Sequence, residues 1–390
     1  MSKILEVFWR FLLLGCTSFG GPAAHLGYFQ KTFVQDLKWL EQEAYAQLIA
    51  LSQFLPGPGS SQVGFAIGLK RAGIAGGIAA FVGFTLPSFL IIYFIATTQF
   101  GEGSSGVNGL IHSLKLLAVV IVADATLNMQ RSFCKEKRSL CIAILSAAAL
   151  LILPNIWTQM AVLMGAAVYG VVESRHQSHI ENTALNIQKN STSTVKSILA
   201  KPPFILFISL FLILPPLAYI SDWVALAASF YQTGSLVFGG GHVVLPLLQQ
   251  SLEHIDNDRF IAGYAAAQAV PGPMFTLATF LGAELTPNAS LIGALVATLS
   301  IFLPGLLLVL SLQNTWESLA KQPRVAGAIW GVNAAVVGLL LSALYQPIFI
   351  SAVQSNIDFA IALIAFFILR QFKPPILLFV LSFIGLGFLL

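Results

Sequence analysis

SQFLPGPGSSQ, residues 52–62, interrupts a run of small and apolar residues that otherwise reads as buried helix. Proline lacks an N–H and its ring clashes with the preceding turn, while glycine adds backbone freedom, so Pro56-Gly57-Pro58-Gly59 ends any regular helix. The surrounding chain has 390 residues, is 57% hydrophobic and only 9% charged, contains 30 Phe, and has a mean hydropathy of +0.83. Soluble domains carry about a quarter charged residues, and so few charges leave a soluble protein's surface uncovered. The composition predicts a polytopic, all-α membrane protein, and the absence of strand-type alternation argues against a barrel. Inside a bilayer a helix break strips backbone groups of partners where no water replaces them. The break therefore needs a purpose.

The break recurs. QFLPGP at 53–58 returns as QAVPGP at 268–273, and TSFGGP at 17–22 returns as LVFGGG at 236–241. LPS at 86–88 matches LPG at 303–305, and IHSLKLLAVV at 111–120 aligns with IWGVNAAVVG at 329–338. Four ordered matches at a nearly constant offset of about 217 define one repeat of roughly 170 to 180 residues, present twice. Between the copies lies a polar, aperiodic stretch, ESRHQSHIENTALNIQKNSTSTVKS, and then an apolar run at 203–220 with no partner in the first copy. The expected organisation is a first repeat at 1–172, a polar linker at 173–202, an extra crossing at 203–221 and a second repeat at 222–390.

One extra crossing turns the second repeat upside down, and the charges agree. Lys and Arg concentrate in cytoplasmic loops. In the first copy they sit at Lys70-Arg71, in RSFCKEKR at 131–138 and in the linker, while GEGSSG at 101–106 has none. In the second copy the pattern swaps. ELTPN at 284–288 and QSNID at 354–358 have none, whereas Lys321, Arg324, Arg370 and Lys373 occupy the alternate loops, with Arg259 the exception. This predicts inverted-topology repeats, an arrangement typical of secondary transporters. N-terminus and linker are expected in the cytoplasm. LLLGC at 12–16 resembles a lipoprotein cleavage site, but its neighbourhood is half of the internal repeat, so it is read as mature protein.

Run lengths predict full spans near 74–98, 107–130, 203–221, 289–312 and 326–346, and paired shorter runs at 139–153 with 155–172 and 358–371 with 375–390. Segments flanking the breaks, about 4–18, 22–37, 42–55 and 59–70, are too short to span alone. They are re-entrant hairpins or halves of broken helices, and the hairpin is favoured because it puts Lys31 and Lys38 inside.

Half-helices meeting inside a membrane make an ion site. A helix starting at Gly59 presents the free N–H groups of Gly59, Ser60, Ser61 and Gln62 and a positive dipole end, with two added hydroxyls, and so suits an anion. Gly57 and Gly272 permit close approach. The second copy offers Met274, Phe275 and Thr276 after its own PGP, and Gly239, Gly240, Gly241 and His242 after its FGG, opposite Gly20 and Gly21. Gln53 and Gln268 recur before the prolines, which simple turns do not explain. Lys115 lies roughly 12 Å inside a predicted span, where a charge costs on the order of 3 kcal/mol. It reads either as a cation of the substrate path, with His112 one turn earlier, or as a snorkelling side chain; the second copy has Asn333 there. Arg10, His25 and Asp124 read as interfacial or structural. GxxxG at Gly64–Gly68, Gly73–Gly77 and Gly327–Gly331 reads as helix packing. The three cysteines, Cys16, Cys134 and Cys141, form no disulfide framework. No catalytic, cofactor or metal motif appears, so a non-enzyme is expected, and the net charge of +4 gives no reason to expect nucleic acid.

SFGGP with AHLGYF, QFLPGPGSSQVGFAIGLKRAG, GFTLPS, FGGGHVVLPLL and QAVPGP together resemble the chromate ion transporter family, in its long, two-repeat form. The resemblance spans both repeats. It implies export of chromate across the bacterial inner membrane, conferring resistance, with sulfate as a related tetrahedral oxyanion. The residues alone support a small oxygen-rich anion and leave open an importer of sulfate or another oxyanion, or a passive anion channel. A coupling proton or counter-anion, the lipid bilayer and a homodimer are the remaining expected partners. The second copy departs from GSSQ to MFTL, which puts its share of the site in question.

Overall fold

The computed structural model describes residues 2–19, 21–98, 105–181, 201–238, 244–252, 255–316 and 322–387, and every regular element among them is helical. The first repeat comprises α1 (Lys3–Thr17), α2 (Gly21–Phe29, prolonged as a π-helix over Gln30–Asp36), α3 (Gln42–Phe54) and α4 (Gly59–Thr97). It continues with α5 (Ser105–Phe133), α6 (Lys137–Ile152) and α7 (Ile156–Glu181). After α8 (Pro202–Leu217), the second repeat comprises α9 (Asp222–Leu236), α10 (Val244–Ser251), α11 (Asn257–Ala269) and α12 (Leu277–Leu285, preceded by a 3-10 turn Met274–Thr276). It ends with α13 (Ser290–Leu312), α14 (Pro323–Ala343), α15 (Asn356–Phe372) and α16 (Ile376–Gly387).

The short segments are re-entrant hairpins. α4 is two helices: at Ala72 and Gly73 the backbone leaves the helical region, with φ +65 at Gly73, and the chain reverses. Gly68 and Gly76 meet backbone to backbone across that reversal, so a Cβ on either would overlap the other strand of the hairpin. Arg71, at the end of the first half, pairs with Glu6 at 3.0 Å and stacks 4.7 Å over Trp39. The start of α1, the loop after α2 and the reversal in α4 therefore share one face, here termed proximal. From it α1 descends and α2 returns, with Phe11 packed on Phe29 and Phe33. Next α3 descends and the first half of α4 returns. Only the second half of α4, about 35 Å long at the helical rise, crosses completely.

The second repeat is inverted. The second half of α4 and α13 are repeat equivalents, and they touch at two places. Phe81 meets Phe302 with ring centroids 5.1 Å apart, and the Tyr93 hydroxyl lies 3.0 Å from Ser290 Oγ. As one chain advances the other falls back by the same number of residues, so the equivalent helices run antiparallel. The second pair of hairpins thus enters from the distal face, where Arg259 of α11 pairs with Glu284 of α12.

The outer helices exchange between repeats. α5 runs parallel to α15, fastened near one end by His112–Asp358 at 2.7 Å and near the other by Asp124–Arg370 at 2.8 Å. Asp358 also accepts from the Gln354 and Ser355 N–H groups in a capping box, which fixes its carboxylate for the histidine. α14 packs on α7 with Gly327 against Gly170 and Gly331 against Ala166, close enough that a Cβ would overlap the facing carbonyl. That is the small-residue packing expected at a helix contact in lipid.

Among the described residues, helical stretches at 59–97, 112–133, 287–312 and 323–352 are long and apolar enough to cross a membrane, the first of them through its second half alone because it folds back at Ala72 and Gly73. Large apolar side chains such as Leu90, Phe94, Ile152 and Phe367 are left outward-facing on their helices, as a lipid-facing surface requires. The protein is an integral, polytopic membrane protein. Two expectations shift. α7 continues to Glu181, carrying the helix into the polar stretch read as linker, and the extra crossing is a helix only as far as Leu217.

Candidate functional site

The hairpin tips meet. The Gly57 N–H donates to the Val237 carbonyl at 2.7 Å, and the Gly272 N–H donates to the Ser18 carbonyl at 2.9 Å. Val237 and Ser18 are equivalent residues just before the FGG breaks, so each PGP turn is tied to the other repeat's break. Both glycines occupy positive φ, +115 and +105, a region costly to side chains. A Cβ on Gly57 would lie 3.0 Å from Gly305 Cα, and one on Gly272 would lie 2.8 Å from Ser88 Oγ. Gly305 and Ser88 are again equivalent. Gly21, also at positive φ, faces the Met274 sulfur of the second repeat.

Among the described residues at the tips, the unpartnered polar groups gather on the first-repeat side. Ser60, Ser61 and Gln62, in the first turn of α4, are buried, with the Ser61 hydroxyl and Gln62 Oε1 unpartnered. Buried polar atoms of this kind are uncommon and call for an occupant or a function. Gln62 Nε2 donates to the Pro56 carbonyl at 2.8 Å and so braces the turn. His25 is fully buried between Ser60 Oγ and the Ser18 carbonyl, each 3.2 Å away, with the Phe84 ring edge beside it. The Ser18 and Thr85 hydroxyls are buried and unpartnered, and Ser88 donates to the Thr85 carbonyl.

The equivalent positions in the second repeat are apolar except one: Val237 for Ser18, Val244 for His25, Phe275 for Ser60, Leu277 for Gln62, Phe302 for Thr85 and Gly305 for Ser88, with Thr276 for Ser61 the polar exception. The Phe275 and Phe302 rings lie 5.9 Å apart and fill this side. Thr276 turns its hydroxyl onto the Pro273 carbonyl at 2.8 Å. The N–H groups at the start of α4, the hydroxyls around them and the dipole end of the helix can together hold an oxygen-rich anion.

With that geometry established, the comparisons decide the family. The sequence model of the chromate transporter family matches residues 5–171 and 224–388. The chain belongs to the chromate transporter family. The two matched regions are the two structural repeats, and the interval between them holds α8. Among its relatives, an uncharacterized transporter from Methanocaldococcus jannaschii is 26% identical over 99% of this chain and 94% of its own length. A chromate transport protein from Cupriavidus metallidurans is 26% identical over 91% of this chain and 84% of its own, and one from Pseudomonas aeruginosa is 23% identical over 86% and 79%. No solved structure matches the chain.

Not every expected site residue reaches the tips. Gly20, Gly240, Gly241 and His242 lie outside the described residues, as does Gly239. Gly59 opens α4 as expected, packed near Ser52. Gln53 is exposed, while its counterpart Gln268 is buried and bonds the Tyr264 hydroxyl, so the recurring glutamines have different surroundings. Lys115 is buried, and its ammonium pairs with Asp258 at 2.5 Å. Its neighbour His112 pairs elsewhere, with Asp358, and Asp124 pairs with Arg370. Asp258 opens α11 at the distal face, so the pair sits about 17 Å along the helix from the second PGP turn. Lys115 therefore lies toward the distal face, away from the tips. At that distance its charge acts on an approaching anion, within a Debye length or two of about 10 Å at 0.1 M salt. Lys115→Met is expected to change sulfate affinity of the purified protein by less than about threefold while slowing transport, most at low ionic strength, because Asp258 is then unpaired at the distal face. Calorimetry alongside vesicle uptake measures both; a more than tenfold loss of affinity would return Lys115 to the binding site.

Sequence reading missed Ser18, Thr85 and Ser88 and left His25 as structural. The available signal was the comparison of the repeats, in which each of these is polar in one copy and apolar in the other.

Proposed function

We propose that the protein is a secondary transporter, not an enzyme, that exports chromate across the bacterial inner membrane and so confers chromate resistance, with sulfate as a related substrate. The observation that carries this reading is the first-repeat tip, where the free N–H end of α4 coincides with the buried, unpartnered Ser61 hydroxyl. The named activity of the chromate transport relatives supplies the substrate class. The anion is held by the N–H groups of Gly59, Ser60 and Ser61 and by the hydroxyls of Ser60, Ser61 and Ser18; the Gln62 N–H, expected to be free, instead donates to the Pro58 carbonyl at 2.9 Å and closes the first turn of α4. Gly21, Gly57 and Gly272 let the tips close, and Gln62 and Thr276 brace the turns. Transport against a gradient is coupled to a proton or a counter-anion, and the chain functions alone or as a homodimer.

Orientation follows from charge. The proximal face carries Lys70, Arg71, Arg131, Lys135, Lys137, Arg138, Arg324, Arg370 and Lys373, so it is cytoplasmic, together with the N-terminus and the polar linker. Cysteine labelling in intact cells should therefore find Lys70→Cys protected and Thr286→Cys accessible; both on one side would overturn this orientation and the inversion with it.

The direct test is uptake of labelled chromate and sulfate into everted vesicles, with and without a proton gradient. Energised accumulation of chromate supports the exporter. Accumulation only in right-side-out vesicles makes the protein an importer, and equilibration without accumulation makes it a channel.

A further inference from the structure

His25 has both ring nitrogens engaged, and the two partners differ in kind. The Ser18 carbonyl only accepts, so Nε2 carries a hydrogen. In neutral imidazole Nδ1 is then the lone-pair nitrogen, and the Ser60 hydroxyl donates to it. In that state Ser60 gives its one hydrogen to His25 and turns lone pairs toward the space at the end of α4. A proton from solvent arriving on Nδ1 reverses the bond without moving either heavy atom. Nδ1–H donates, Ser60 Oγ accepts, and the Ser60 hydrogen is freed to point away. One event supplies a donor for an anion and a positive charge beneath it.

We propose that His25 is a positioning residue whose protonation is linked to oxyanion binding through reversal of the Ser60 hydroxyl, so that the anion is bound together with a proton. This rests on the reading of the first-repeat tip as the anion site.

Among the described residues, the surroundings give an imidazolium no other counter-charge. α1 brings the Ser18 carbonyl; of its charged residues, Glu6 is paired with Arg71 at the proximal face, and Lys3 and Arg10 are exposed. α3 brings Tyr45, whose hydroxyl donates to the Leu26 carbonyl. The π-helical continuation of α2 carries Lys31 and Asp36, both exposed. In α4 the first turn has no titratable side chain, Lys70 and Arg71 lie at the far end of its first half, and its second half brings the Phe84 ring edge. The second-repeat turn brings only the Gly272 N–H, to the same Ser18 carbonyl. Among the described residues no carboxylate bonds His25, so a bound dianion is the group that would stabilise its charge. His242 lies outside the described residues. The second repeat has Val244 and Phe275 in place of His25 and Ser60 and so lacks the pair.

The linkage is reciprocal: if the anion raises proton affinity at His25, protons raise anion affinity. Above the histidine's own titration, one linked proton weakens binding about tenfold per pH unit. Sulfate is the suitable probe, because it stays a dianion across the histidine range whereas chromate itself takes up a proton there. Calorimetric titration of the purified full chain with sulfate, in buffers of different ionisation heat, counts protons taken up per anion. The parent should take up close to one proton, with affinity falling as pH rises. His25→Asn and Ser60→Ala should each bind more weakly, independently of pH and without proton uptake. Sulfate binding by the parent with no proton uptake would overturn the linkage and leave the anion site standing. Uptake persisting in a folded His25→Asn would assign the proton elsewhere and equally overturn it. Failure of the parent to bind sulfate or chromate at any pH would remove the anion site and this linkage together.

Discussion

Gly57→Leu and Gly272→Leu are each expected to abolish anion transport while the protein still reaches the membrane. Both positions hold a positive φ, which costs a side chain on the order of 1–3 kcal/mol. Space is the second obstacle: even a Cβ on Gly57 would lie 3.0 Å from Gly305 Cα, and one on Gly272 would lie 2.8 Å from Ser88 Oγ. Neither glycine serves only its own repeat. Gly57 holds the second-repeat break at Val237, and Gly272 holds the Ser18 carbonyl that also receives His25. Opening either turn therefore displaces the opposite break. Since about 1.4 kcal/mol is a factor of ten, a loss of about 3 kcal/mol at the crossing lowers the population of closed tips about 100-fold. Gly57→Ala meets the φ cost with a smaller overlap and should fall between. Insertion rests on the spans, on the α14–α7 packing and on the α5–α15 clasps, which these residues do not touch. Vesicle uptake normalised to membrane-fraction protein is the measurement. Parental uptake by both leucine variants would reduce the PGP segments to turns.

The architecture was legible because it follows from period, length and charge. Pro56-Gly57-Pro58 and its copy had to end helices, segments of 13 to 15 residues such as α1 and α3 were too short to span, and the exchanged positions of Lys70-Arg71 and Glu284–Asn288 required inversion. Even the hairpin reading, favoured on two lysines, agrees with the stacking of Arg71 on Trp39.

The side-chain content of the site was less legible, because it is made by the crossing of hairpins distant in sequence. Thr85 and Ser88 are isolated polar residues in an apolar run, Ser18 follows Thr17 ahead of a break, and nothing local says that the three converge. Lys115 shows the other failure. Its cost in lipid was a sound reason to notice it, but the partner that meets its charge is Asp258 from the second repeat, and that partner draws it toward the distal face. Gln53 and Gln268 show that recurrence of a residue type guarantees the same backbone position, not the same surroundings.

Thr85→Phe should eliminate anion binding, whereas Phe302→Thr should largely spare it. The two residues are repeat equivalents, and the substitutions exchange them. Thr85 is buried with an unpartnered hydroxyl, next in sequence to the Phe84 that abuts His25. A phenyl ring there would fill the polar side as Phe302 fills the other, where it packs against Phe81 and Phe275. Overpacking costs about 1–3 kcal/mol of stability, so Thr85→Phe still folds, but the unpartnered hydroxyl is gone and a ring stands in its place. Sulfate affinity should fall about 100-fold or more, equivalent to about 2.7 kcal/mol. Phe302→Thr does the reverse. It leaves a cavity of the kind that costs about 3–5 kcal/mol for a buried phenyl and lowers the melting temperature, yet removes no group from the first-repeat tip. Per folded protein, its sulfate affinity should stay within about threefold of the parent, a shift below about 0.7 kcal/mol. Thr85→Val separates volume from chemistry, since it keeps the shape and deletes only the hydroxyl; an intermediate loss there assigns part of the binding to that oxygen. Calorimetry on detergent-purified variants, with thermal unfolding to count folded protein, reads all three. If Phe302→Thr loses binding as completely as Thr85→Phe at equal folded amounts, the two repeats contribute alike and a one-sided site is wrong.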